Sequence, residues 1–129
     1  MNWLQKICKV LRHSKSTQII GELVRFDSEH KIVGKCALGE LGSRAGMTAN
    51  KLLEIDDGGG DYYEILEKYK VPKWLTEGYL PALEKWSLFE DHSNKVANLD
   101  EWIINLNDDF EFTEPEIADF LETTFKDAV

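Results

Sequence analysis

Two cysteines and three histidines are the residues of this sequence best suited to covalent or metal chemistry, and their spacing offers little of either. His13, His30 and His92 stand apart in polar stretches, with no His-x-x-x-His or Cys-x-x-Cys pattern to converge on a metal. Cys8 and Cys36 sit 28 positions apart among apolar neighbours, which reads as two buried, reduced thiols. Cys36 opens a predicted helix, where backbone amides can favour a thiolate, and His30 precedes it by six residues. It is therefore the one candidate reactive thiol, although the Ala37-Leu38 that follows is the company of a core cysteine. The run Asp56-Asp57-Gly58-Gly59-Gly60-Asp61 is rich in oxygen ligands but lacks the alternating carboxylates and closing glutamate of a calcium loop. Gly58-Gly59-Gly60 has no Lys-Ser or Lys-Thr after it, and Gly39-x-x-Gly42 is too short for a dinucleotide fingerprint. Ser43 and Ser87 lie in no nucleophile elbow. No cofactor is implied.

Acidic and amide side chains are the more conspicuous resource. Asn107-Asp108-Asp109 falls at the predicted C-terminus of a helix, where the dipole disfavours anions. Such a cluster either serves a ligand or stops the helix through side-chain hydrogen bonds to backbone. With Glu111, Glu114 and Asp119 it makes a candidate binding surface. The charge is unevenly divided. Residues 1–51 hold nine Lys or Arg against four Asp or Glu, a net +5, and residues 52–129 hold six against twenty, a net −14. The ordinary explanation is a set of solvated acidic helices, and the sharper one is an acidic C-terminal face that meets a protein with a basic surface. Phosphates would be repelled by a chain of net charge −9, so nucleic acid is a poor partner for the surface as a whole. A basic patch on the first helix (Lys6, Lys9, Arg12, Lys15) leaves a nucleic-acid-facing regulator as the alternative, and a small enzyme using Cys36 or Asn107–Asp109 as a third.

These side chains must be held by a core, and 129 residues with 43% apolar content suffice for one domain without a disulfide or metal. No run approaches the roughly 20 apolar residues needed to span a bilayer, and residues 1–9 alternate charge with apolar groups unlike a signal peptide. A cytoplasmic protein with no membrane contact is expected. Residues 3–12 place Trp3, Leu4, Ile7, Cys8, Val10 and Leu11 mostly on one side at helical spacing. Residues 18–26 and 31–34 read as two strands around a polar turn, with Gly21 weakening the first. Residues 37–45 repeat apolar groups at helical spacing, and Gly39 and Gly42 there each cost about 1 kcal/mol against alanine, so another backbone should approach them. Residues 47–61 read as irregular, Asp61 as the cap of a helix over 62–69, and residues 73–90 as short helices broken by Gly78 and Pro81. Most of Trp74, Tyr79, Trp86 and Phe89 are expected in the core. Near the C-terminus, residues 99–108 form a helix with Leu99, Trp102, Ile103 and Leu106 inward. Thr113-Glu114-Pro115-Glu116 is a capping box opening a second helix that buries Ile117, Ala118, Phe120, Leu121 and Phe125. The expected fold is α+β: a mainly helical single domain with one short β-hairpin and a C-terminal αα-hairpin.

At Gly34-Lys35-Cys36-Ala37-Leu38-Gly39-Glu40-Leu41 the sequence resembles small proteins of phages and mobile elements that carry Cys-(Cys or Ala)-Leu-Gly after a hairpin. Those proteins often end in a Leu-Asn-Asp stretch and a Phe-x-x-Ile-Ala-Asp helix. Here that part reads Leu106-Asn107-Asp108-Asp109 and then Ile117-Ala118-Asp119. The resemblance covers about half the chain in two blocks, and Ala37 stands where a second cysteine is frequent. It implies a phage or mobile-element context and no established activity.

Overall fold

The computed structural model describes residues 1–83 and 96–129. Among them seven helices and two small antiparallel strand pairs surround one apolar core, a mainly helical α+β domain. No helix of the described residues is long and apolar enough to cross a membrane.

Helix α1 (Trp3–Arg12) starts at Asn2, whose side chain accepts the Gln5 amide while Gln5 returns to the Asn2 amide. Of the predicted stripe it buries Trp3, Leu4, Ile7, Cys8 and Leu11 and leaves Val10 half-buried. Strands β1 (Val24–Phe26) and β2 (Ile32–Lys35) pair antiparallel, with Val24 opposite Lys35 and an irregularity between Arg25 and Phe26. The first strand is shorter than its β-branched sequence suggests. Gly21 turns the chain with φ +87°, and Gln18 instead forms an isolated parallel bridge to Lys35. Helix α2 (Ala37–Arg44) lies at the centre, with Ala37 to Gly42 all buried and α1 and the helices Ala49–Asp56, Tyr63–Glu67 and Leu99–Asp108 packed around it. Gly39 is the point of closest approach: a Cβ there would run into the backbone carbonyl of Leu23. Gly42 faces side chains instead, the Leu52 and Ile65 methyls.

Residues 47–61 are only partly irregular, since 49–56 are helical while 57–61 form the expected irregular tip. Thr48 caps helix α3 (Ala49–Asp56) by accepting the Lys51 amide, and Leu52 and Ile55 turn inward three residues apart. Asp61 does not cap α4 (Tyr63–Glu67); the Glu64 carboxylate reaches back to the Asp61 amide at 2.7 Å. A short α5 (Lys73–Thr76) follows Pro72, then β3 (Leu80–Pro81) pairs with β4 (Val96–Ala97), a second strand pair too short for period-two patterning to reveal. Trp74 and Tyr79 are exposed rather than core. His92, Trp86 and Phe89, named above, lie outside the described residues.

Helix α6 (Leu99–Asp108), capped by Asn98, and helix α7 (Glu114–Phe125), opened by the Thr113–Glu116 capping box, form the expected αα-hairpin. Its turn uses Glu111 at φ +56° and is closed by the Phe112 amide on the Leu106 carbonyl. The most extensive partner of α7 is nevertheless α1, from the other end of the chain. There Cys8 Sγ lies 3.4 Å from the Ala118 carbonyl, and Phe125 packs against Trp3 and Trp102 with ring centroids 6.0 and 5.5 Å apart.

Candidate functional site

The sequence singled out Asn107, Asp108, Asp109, Glu111, Glu114, Asp119 and Cys36, and the fold scatters them over different environments. Asn107 is 1% exposed. Its Oδ1 accepts the Ala37 amide at 2.9 Å and the Gln18 side-chain amide at 2.8 Å, while its Nδ2 donates to the Ile19 carbonyl at 2.8 Å and to Asp108 Oδ1 at 2.7 Å. Gln18 extends the network, donating to the Phe112 carbonyl and accepting the Glu114 amide. The polar atoms of Asn107 are thus engaged with other segments and the Asp108 side chain rather than with the backbone of its own helix. The residue ties the end of α6 to the start of α2 and to the segment before β1.

Glu114 is buried as well, with Oε1 accepting from Ser14 at 3.3 Å and Oε2 without a partner. It is no part of an exposed acidic face. Burial pushes its carboxyl up to about 7; nearby Glu40 acts in the same direction, and the Ser14 hydroxyl and Lys35 act against it. Glu40, itself 2% exposed, is compensated by Lys35 Nζ at 3.4 Å and Ser16 Oγ at 2.8 Å, and Lys35 also donates to Ser43. Because the folded protein holds the Glu114 proton more tightly than the unfolded chain does, this residue favours folding below about pH 4.5. That contribution is lost as pH rises through about 7. Glu114→Gln is therefore expected to stabilise the protein at pH 8 relative to pH 4 by about 3 kcal/mol. Urea melts of both proteins across that range check this, and parallel pH profiles would refute it.

Asp119 is exposed but engaged, since Arg12 bridges it at 2.7 Å and Glu122 at 2.8 Å. Asp108 receives Asn107, and Glu111 rims a shallow groove with Gln18, Ile20 and Thr113. Cys8 and Cys36 are free and buried. Cys36 is the N-cap of α2, its sulfur accepting the Gly39 amide at 3.4 Å. Burial outweighs that amide and pushes the thiol up to about 12, the reverse of the thiolate that a helix start could favour. His30 sits in the far turn of the hairpin, with the whole of β2 between it and the thiol. Neither half of a nucleophile–base pair is in place.

Asp109 joins a more acidic concavity than the shallow groove that Asn107 and Glu111 line. It lines a cleft of about 440 Å³ between the start of α4 and the outer side of α6, with Asp61, Tyr62, Tyr63, Asn98, Asp100, Glu101, Ile104 and Asn105. Four of these nine residues are carboxylates and none is a cation. Asp100 and Asn105 are each 5% exposed, and an oxygen of each, Asp100 Oδ1 and Asn105 Oδ1, has no hydrogen-bond partner among the described residues. Such groups are uncommon because each forfeits the energy of its lost hydration. Burial pushes the Asp100 carboxyl up to about 7, its own backbone amide opposing and Glu101 and Asp61 reinforcing the shift. The cleft residues escaped the sequence reading for a simple reason. Inward Leu99, Trp102, Ile103 and Leu106 leave Asp100, Glu101, Ile104 and Asn105 on the opposite side of α6, which a helical pattern assigns to water. The fold lays the start of α4 beside that side. The only warning in the sequence was Ile104 among polar neighbours.

The Asp56 oxygens are occupied by the Leu23 amide at 2.8 Å and the Tyr62 hydroxyl at 3.0 Å, so this member of the Asp-Gly run is structural. Among the described residues no three Asp, Glu, His or Cys side chains converge as metal ligands would. On the opposite charge, Lys6 and Lys9 of α1, Arg44 of α2 and Lys68 just after α4 line a groove of about 340 Å³, while Arg12 is turned away to Asp119 and Glu122. Comparison of the chain with family models, curated proteins and solved structures finds no match, so its function is argued from this geometry.

Proposed function

We propose that this chain is an acidic protein-interaction module, of the kind carried by phages and mobile elements, that binds a protein with a basic surface through the α4–α6 cleft. The observation that carries this reading is the lining itself: Asp61, Asp100 and Asp109 share one concavity whose described lining includes no cation. The reading places the binding acids on α6 and its neighbour α4 rather than on α7, because Glu114 is buried and Asp119 is neutralised by Arg12. Charge complementarity of this sort acts mainly on encounter and specificity, and salt screens it. Probing an array of lysine- and arginine-containing peptides with the labelled protein is expected to show binding that weakens at least about tenfold from about 0.05 to about 0.5 M salt. Asp61→Asn/Asp109→Asn should weaken it further at low salt. Binding indifferent to both salt and these substitutions would end the reading.

A nucleic-acid-facing role is favoured by one observation, the convergence of Lys6, Lys9, Arg44 and Lys68 on a groove remote in charge from the rest of the surface. The same titration with a short duplex oligonucleotide separates the two: retention lost on Lys6→Glu/Lys9→Glu would place the primary ligand there, and no retention at low salt removes this role.

A further inference from the structure

We infer that the α4–α6 cleft is a receptor for a single arginine side chain presented by the protein partner. This rests on the interaction reading above and specifies its chemistry. Asp100 and Asn105 are each about nineteen-twentieths buried, both line the cleft, and each carries an acceptor oxygen with no hydrogen-bond partner among the described residues. Acceptors without donors call for a donor-only group. A guanidinium is donor-only, carries five N–H groups in a planar fork, and sheds water more easily than an ammonium.

The remaining lining suits the rest of that side chain. Ile104 supplies an apolar surface for the methylene stem, and Tyr62 and Tyr63 bring aromatic rings to which a guanidinium is attracted. Asp61 and Asp109 add charge without being drawn together by the fold. A bare divalent cation asks for something different, several oxygens converging at short range, and no such trio occurs among the described residues. Spread acceptors and a volume of about 440 Å³ fit an extended organic cation better than a point charge. Glu101 has other interactions within the fold and is not needed for the argument.

The test is an NMR titration of the full chain with N-acetyl-arginine methylamide, its lysine counterpart and calcium chloride, followed by a short peptide containing one arginine. The arginine compound is expected to shift the amides of Asp61–Tyr63 and Asn98–Asn105 and to bind at least about tenfold more tightly than the lysine compound. Asp100→Asn should weaken the arginine compound about tenfold or more while raising thermal stability at neutral pH, since it removes a buried charge. Lost binding in a better-folded protein cannot be ascribed to unfolding. Equal affinity for lysine and arginine, tighter binding of calcium, or indifference to Asp100→Asn would each overturn the arginine pocket. In those cases salt-sensitive binding of basic peptides could persist, and the broader reading would stand; failure of every basic peptide would fell both.

Discussion

Asn107→Ala is expected to lower the unfolding free energy by about 4 kcal/mol, one of the two largest single-residue effects anticipated here. The mechanism is not lost packing, since alanine leaves a small void. It is the simultaneous orphaning of the buried Ala37 amide and of the part-buried Ile19 carbonyl and one bond of the Gln18 amide. A buried polar group left without its partner costs about 1–3 kcal/mol, and Asn107 is where all three of these groups converge. Asn107→Asp discriminates between the atoms involved. It keeps an acceptor for Ala37 and Gln18 but loses the donor to Ile19 and sets a carboxylate against Asp108, so it should also destabilise, and more at pH 7 than at pH 4. Denaturant unfolding of the three proteins measures this. A loss below about 1 kcal/mol for the alanine variant would mean that the network is dispensable, returning Asn107 to the candidates for ligand binding.

Gly39→Ala is the second. By helix propensity alone this change should stabilise α2 by about 1 kcal/mol. The tertiary contact reverses the sign, because the added methyl would occupy the place of the Leu23 carbonyl, and Leu23 cannot yield cheaply. Its amide is held by Asp56 and its carbonyl accepts the Cys36 amide at 3.2 Å, so moving it disturbs the joint between the hairpin and the central helix. Overpacking with rigid neighbours costs about 1–3 kcal/mol and sometimes more. We expect a net loss of about 3 kcal/mol, which for a chain of this length is a fall in Tm of about 10 °C. Gly42→Ala is the control. Its methyl would meet the ends of the Leu52 and Ile65 side chains, 2.7 and 3.4 Å away, which can rotate aside, and it should cost about 1 kcal/mol or less. Equal melting temperatures for the two variants would refute the backbone contact as the reason for glycine at position 39.

What could be read without coordinates was whatever depends on neighbours in sequence. The stripe of α1, the capping box before α7, the polar turn of the hairpin and the αα-hairpin all follow from periods and caps that act over three or four residues. The need for a close neighbour at Gly39 was legible too, because two glycines inside a short helix have a cost that something must offset. The αα-hairpin residues of interest were named, but their roles were not, since a carboxylate's role depends on what lies across from it. Glu114 and Asp119 sit five residues apart on one helix, and only the arrival of α1 decides that Ser14 buries the one and Arg12 pairs with the other. Likewise the polar side of α6 reads as a solvated surface until α4 is laid beside Asp100 and Asn105. Charge and periodicity are properties of the chain. Burial, and with it the unsatisfied oxygens on which the functional reading turns, arises only when segments 30 or more residues apart are brought into contact, because desolvation is set by what surrounds a group in space.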